Sequence, residues 1–293
     1  MTWRAERLRR ESENEGNKNR EKPAMALMAL HSASTGLGAL STSLDIVANN
    51  LANANTDGFK SSRANFQDLL YIEKAQPGVE NANGDQRPTG LYVGLGTKVS
   101  GTQVDFSQGS PRNTGRDLDF LIDGNGFFQV EVEDDTGEGL AYTRAGNFAV
   151  NSNGELVLAN DQGRRIAPGI EIPEEATKVD VTSDGVVSVS LPGQFETQEV
   201  GQLEIATFVN PAGLKQIGEN LYVPSTASGD PSLGEPGESD RGIIKQGFLE
   251  GSNVDPVTEL VNLIRTQRSF ELNSQSIQAA DEALQTIGQL RRF

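Results

Sequence analysis

The 293-residue chain contains no cysteine and a single histidine, His31. The first absence removes disulfides, thiol catalysis and Cys-ligated metal sites. The second leaves no material for a histidine-based triad or a multi-histidine metal centre. No uninterrupted apolar run approaches the ~18 residues of a membrane-spanning helix, so membrane insertion is not expected. Positive charge is scarce as well: 25 Lys and Arg against 41 Asp and Glu leave a net charge of −16. A phosphate-binding surface needs clustered cations that release counterions, so nucleic acid is excluded as a partner and anionic lipid is disfavoured.

Motifs that carry chemistry are missing too. The stretch DLDFLIDGNG (117–126) has the outline of a calcium loop starting at Asp119, but Leu121 and Val130 occupy positions that need oxygen ligands. The segment GLGTK (94–98) lacks the spacing of a phosphate-binding loop and precedes no helical pattern. Carboxylates are abundant, yet nothing selects a pair for acid-base work. The expectation is therefore no catalytic residue, no metal, no cofactor and no enzymatic activity.

What is present divides along the chain. Residues 1–24 hold seven basic and five acidic residues and few large apolar ones, unlike everything that follows. They read as a disordered extension, or as the product of a misplaced start with true initiation at Met25. They do not read as a secretory signal, since the apolar run AMALMAL (24–30) barely reaches the ~7-residue minimum and lies far from the arginine pair.

From Leu30 the apolar residues fall at Leu30, Ala33, Leu37, Leu40, Leu44, Val47, Leu51 and Ala54, the 3-4 spacing of an amphipathic helix with one narrow seam. The C-terminal end repeats it. After Asn253 or Asp255 as a cap and Pro256 at the first turn, Leu263, Thr266, Phe270, Asn273, Ile277, Ala280, Leu284 and Ile287 keep the same steps. Two apolar positions in seven suit a coiled coil better than a globular core, which usually takes a wider stripe. The two end helices are expected to pair.

Between them glycine (32 residues) is enriched and the periodicity shifts to short β segments at 91–106, 119–133, 141–159, 178–191, 200–209 and 243–250. Asn153-Gly154 and Asp184-Gly185 separate extended runs and predict hairpins. The polar, Pro- and Gly-bearing stretches 72–90 and 225–242 read as connectors. The fold class is α+β: an antiparallel β-rich domain at 91–250, a connector at 72–90, and a helical assembly domain made from 25–71 plus 251–293.

The first helix ends in ANNLANANTDGFK (48–60), four asparagines within seven residues. Asparagine is a mediocre helix former, so the cluster costs propensity that amide contacts must recover. Some can satisfy the orphan carbonyls of the helix end, Gly58 can take a left-handed cap, and Asn50 could bridge to a neighbouring helix.

This segment resembles the N-terminal signature of the flagellar axial family of rod and hook proteins. GFLEGSNVDPVTELVNLIRTQRSFELN (247–273) is similar to its C-terminal partner motif. GNGFFQV, AYTRAGNF, NGELV and FVNPAGLKQIGENLY resemble the family between these ends, and the stretch around 72–90 resembles its distal-rod branch more than its hook branch. The extension 1–24 and Phe270, where a tyrosine is common, depart from the pattern.

The resemblance implies a structural subunit of the distal rod, a hollow helical polymer that carries torque from motor to hook; a proximal rod or hook subunit is the alternative. A cell-wall hydrolase and a β-rich binding module are the readings from other classes. It also implies copies of itself, proximal rod and hook proteins, surrounding ring proteins and the type III export apparatus as partners, export without a cleaved signal, and a location in the periplasm-spanning basal body. The matching motif residues are Asn49, Asn50, Asn53, Gly58, Phe59, Ser252, Asn253, Val254, Gln267 and Arg268. The expected assembly interface is formed by Leu30, Leu37, Leu40, Leu44, Val47, Leu51, Leu263, Phe270, Ile277, Leu284 and Ile287.

Overall fold

Alternation explains much of the β structure. In the strand Val186–Ser190, the sequence VVSVS buries Val187 and Val189 and leaves the intervening serine partly exposed, the period-2 signature of a half-buried strand. The computed structural model describes residues 28–80, 85–132, 139–193 and 196–290, so the proposed extension 1–24 lies outside the described residues. The chain forms two compact units, one made of its ends with 63–103, the other of 49–62 with 104–256.

In the larger unit a five-stranded antiparallel sheet runs in the order Ile166–Ala167, Phe128–Glu131, Leu140–Thr143, Leu221–Val223, Lys215–Gly218. A three-stranded antiparallel sheet joins Lys178–Val181, Val186–Ser190 and Gln198–Gln202. The main core gathers Phe120, Ile122, Phe128, Phe148, Leu156 and Leu203, all essentially inaccessible to solvent. A second cluster stacks Phe127 edge-on against Phe106 and Phe208.

Both hairpins read from sequence are present. Phe148–Val150 pairs with Leu156–Leu158 across Gly154, and Lys178–Val181 with Val186–Ser190 across Gly185, each glycine with positive φ. The α+β, antiparallel class follows. One expectation fails here: the connector at 225–242 contains a strand, Ser232–Gly234, paired with Ile205–Thr207. The Arg241 guanidinium folds back to donate to the Leu233 carbonyl at 2.8 Å, organising a loop whose composition is otherwise that of a linker.

In the smaller unit, the helix α1 (28–52) and the helix α2 (Pro256–Leu290) contribute most of their length. They accompany two β ribbons, Ser62–Asp68 with Thr97–Val104 and Tyr71–Ala75 with Leu91–Gly94. The stretch 72–90 is therefore a paired arm over much of its length: Gly78 N–H donates to the Arg87 carbonyl and Arg87 N–H to that of Val79. The segment 91–103 belongs with the helices by its contacts, where the sequence reading began the β domain at 91. Polarity signalled a linker because both faces of a two-stranded ribbon meet water.

α1 lies close to the turn between the ribbons. A Cβ on Gly96 would fall 2.1 Å from Thr35 Oγ1, and Thr35 Oγ1 accepts from Thr97 N–H at 3.4 Å. α1 also approaches α2, since a Cβ on Gly36 would sit 3.3 Å from Asn273 Nδ2. His31 is exposed on α1. No helix among the described residues is long and apolar enough to cross a membrane.

Candidate functional site

The asparagine cluster does its work inside its own chain. Asn50 is 2% exposed, and its amide reads the backbone of Ser62 in both directions: Nδ2 donates to the Ser62 carbonyl at 2.8 Å and Oδ1 accepts from Ser62 N–H at 3.0 Å. A side chain here stands in for a strand neighbour and closes the loop 50–62. Asn53 Nδ2 donates to the Asn49 carbonyl at 3.0 Å and to Asn49 Oδ1, and Thr56 Oγ1 donates to Asn53 Oδ1. That satisfies part of the helix end, as expected for some of the four.

Gly58 takes φ +72°, and a Cβ there would lie 2.7 Å from the Ala145 nitrogen, so the position excludes a side chain on two counts. Its N–H donates to the Glu250 carbonyl at 2.7 Å. One step on, Ser61 N–H donates to Asn253 Oδ1 at 2.8 Å, while Asn253 Nδ2 donates to the Asp105 carbonyl at 2.8 Å. Ser252 Oγ accepts from Val254 N–H, and Val254 is buried. The motif residues from the two chain ends thus meet at one junction. Phe59 is half-buried nearby in sequence; Asn49, Gln267 and Arg268 are exposed.

At the centre of this junction are three charges the sequence reading did not single out. Lys60 is 0% exposed and donates from Nζ to Glu250 Oε1 at 2.6 Å and to the Ser107 carbonyl at 2.7 Å. Glu250 Oε1 also accepts from Gly109 N–H at 2.9 Å, and Oε2 from Arg144 Nη1 at 3.4 Å. Arg144 donates from Nη2 to the Gly124 carbonyl and lies over the Phe127 ring. Burial pulls the Lys60 ammonium below the usual lysine range against the opposing attraction of Glu250, and burial lowers Arg144 in the same way. Beside them, burial pushes the Tyr222 phenol up to about 12. Lys and Glu are almost never fully buried unless paired, but pairing is a tertiary property, and no spacing in the sequence announces it.

The stretch 117–126, whose outline only superficially matched a calcium loop, has its residues engaged within the fold. Leu121 is in the core, and the Asp123 carboxylate is held below its ordinary range chiefly by the Lys245 ammonium that donates to it.

The two helix seams are placed as follows. On α1, Val47 is buried and Leu30, Leu37, Leu40, Leu44 and Leu51 are half-buried. On α2, Leu263, Thr266, Phe270, Asn273, Ile277, Ala280 and Leu284 are all half-buried and form a less exposed line along the helix. The side chain of Ile287 lies outside the described residues. A second apolar set was missed: Val257 (70% exposed), Leu260, Val261, Ile264 (49%) and Leu272. The first four follow i, i+3, i+4, i+7 spacing, so a search for a wider stripe would have found them.

Comparison with known proteins fits this geometry. Residues 30–60 match the family described as flagella basal body rod protein, 121–189 the flagellar hook protein FlgE/F/G D1 domain, and 245–290 the flagellar basal body rod FlgEFG protein C-terminal family. The chain is 43% identical over 262 residues to the flagellar basal-body rod protein FlgG of Buchnera aphidicola subsp. Baizongia pistaciae, covering 89% of this chain and 99% of that one. It is 42% identical to the FlgG of Caulobacter vibrioides (90% and 100% covered) and 40% identical to that of Bacillus subtilis (91% and 100%).

The chain belongs to the flagellar basal-body rod protein family. It is a structural subunit of the rod, and its first and last family segments contain the residues that meet at the junction: Asn50, Gly58 and Lys60 from one, Glu250 and Asn253 from the other.

Proposed function

We propose that this rod subunit polymerises into the distal part of the rod, a hollow helical shaft carrying torque to the hook, and that α1 and α2 are its assembly elements. The observation that carries this is the distribution of apolar side chains on α2. One line, through Leu263, Phe270, Ile277 and Leu284, is partly covered within the chain, while Val257, Leu260, Val261, Ile264 and Leu272 face solvent. A helix with apolar residues on two faces has more to bury than one neighbouring helix can cover. Covering the exposed set on assembly is worth on the order of 5 kcal/mol per subunit.

Pairing of the two seams as a coiled coil, through Leu30, Leu37, Leu40, Leu44, Val47 and Leu51 on α1, is part of the same proposal. So are proximal rod, hook and ring proteins as neighbours, and export through the type III apparatus to the periplasm without a cleaved signal. The relatives are named as rod proteins, which supports a structural and not a catalytic role.

Leu44→Asp and Ile264→Asp test the reading, the second at an exposed position where the isolated subunit loses little. Both variants are expected to leave the β unit folded by circular dichroism and to abolish rods in electron micrographs of purified basal bodies. Normal rods in Ile264→Asp would refute the assembly role of that face.

A further inference from the structure

The buried triad has an asymmetry that simple stabilisation does not require. Two cations, Lys60 and Arg144, share one carboxylate, Glu250, and all three are at most 4% exposed. They come from three separate parts of the chain: Lys60 follows α1, Arg144 sits in the turn after Leu140–Thr143, and Glu250 ends the strand Phe248–Glu250 just before α2. Arg144 has anchors of its own in the β body, the Gly124 and Ile122 carbonyls and the Phe127 ring. Among the described residues Lys60 Nζ makes one hydrogen bond besides that to Glu250, to the Ser107 carbonyl, and feels a weaker attraction from Asp105.

The packing around the triad is equally contingent. Gly109 closes against the C-terminal segment so tightly that a Cβ would meet the Gly251 carbonyl oxygen at 1.9 Å, and Gly251 N–H donates to the Ser110 carbonyl. The N-terminal segment then bonds to groups that this segment supplies: the Glu250 carbonyl receives Gly58 N–H, and Asn253 Oδ1 receives Ser61 N–H.

We infer that Glu250 is a latch that sets the order of closure: the segment 247–254 docks first and cancels the charge of Arg144, and only then can the segment 49–62 bring Lys60 into the interior. Without the carboxylate, an ammonium would have to enter a dry site already holding a guanidinium, a like-charge approach in low dielectric that the Ser107 carbonyl and the weaker attraction of Asp105 offset only in part. The N-terminal arm is therefore never locked while the C-terminal arm is free, and the ends of α1 and α2 are fixed together. This does not depend on the assembly proposal, since it concerns a single subunit.

Hydrogen exchange read residue by residue on the full-length chain tests it. In Glu250→Gln, which keeps the shape and removes the charge, the amides of Gly58, Ser61 and Ser62 are expected to exchange about a hundredfold faster while those of Val130 and Leu156 stay protected. In Lys60→Met the amides of Gly109 and Gly251 are expected to remain protected, because Arg144 still holds Glu250. In the double variant Lys60→Met/Glu250→Gln the arm is expected to regain at least tenfold of the lost protection, since the repelled charge is gone.

Unchanged exchange at 58–62 in Glu250→Gln would overturn the latch. So would a uniform loss across the β body, which marks a general stability residue, or a double variant no better than the single one. Should Glu250→Gln not fold, recovery of folding in the double variant supports the latch and failure of both refutes it.

Discussion

Replacing Asn50 by leucine isolates what the amide contributes at the exit of α1. Leucine keeps the number and branching of the side-chain heavy atoms, though its methyl groups are bulkier, in a position that is 2% exposed, and it removes the donor to the Ser62 carbonyl and the acceptor for Ser62 N–H, which lie at 2.8 and 3.0 Å. Two backbone groups would then face methyl groups. An unsatisfied buried polar group costs about 1–3 kcal/mol; because Ser62 is only half-buried, the lower half of the range applies to each, giving about 2–4 kcal/mol in total. Asn50→Ala removes the same two bonds and opens a space in which water can replace them, so it is expected to cost less, about 1–2 kcal/mol.

Urea unfolding followed by the β signal in circular dichroism gives the comparison. With a slope near 2 kcal/mol per molar, the leucine variant should lose roughly 1.5 M in midpoint and the alanine variant about half of that. The order matters more than the size. If Asn50→Ala proves more damaging than Asn50→Leu, the position serves packing, and the account of the amide as a substitute strand partner is wrong.

Lys60 supplies a pH signature. Its folded pKa is lowered, burial outweighing Glu250, so over the window below 10.5 the native state releases its proton before the unfolded chain does. Stability from this group should rise with pH in that window, and Lys60→Met should remove the rise. Subtracting the variant's unfolding midpoints from those of the parent between pH 7 and 10.5 isolates the effect, and a difference that falls with pH would contradict the assignment. Gly146 makes a steric test: a Cβ there would lie 1.7 Å from the Phe120 carbonyl oxygen, backbone in the middle of the core. Gly146→Ala should cost at least about 3 kcal/mol, checked by the yield and thermal midpoint of the folded chain, and a loss below about 1 kcal/mol would mean the turn can move aside.

Local pattern carried the features that repeat with a fixed period or demand one backbone shape. The 3-4 spacing from Leu30 to Leu51 and from Leu263 to Leu284 marked both helices, and Asn153-Gly154 and Asp184-Gly185 marked hairpins, because only a few residues tolerate positive φ at those turns. Asn50 was visible as an anomaly, a poor helix former in a helix, but its partner was not. The stretch 72–90, which holds most of one strand of the ribbon, and the strand Ser232–Gly234 were read as connectors, since a strand exposed on both faces carries no hydrophobic alternation.

The junction was decided only in three dimensions. Lys60 and Glu250 are 190 residues apart, and a lysine before a serine or a glutamate before a glycine looks like any solvated charge. What makes them a site is removal from water, which gives each charge a cost that pairing and hydrogen bonding must offset. Burial belongs to the assembled fold and to no segment of the chain. The sequence by itself determined the helices, the turns and the family motifs at each end; the tertiary structure alone decided that those ends are held together around one carboxylate.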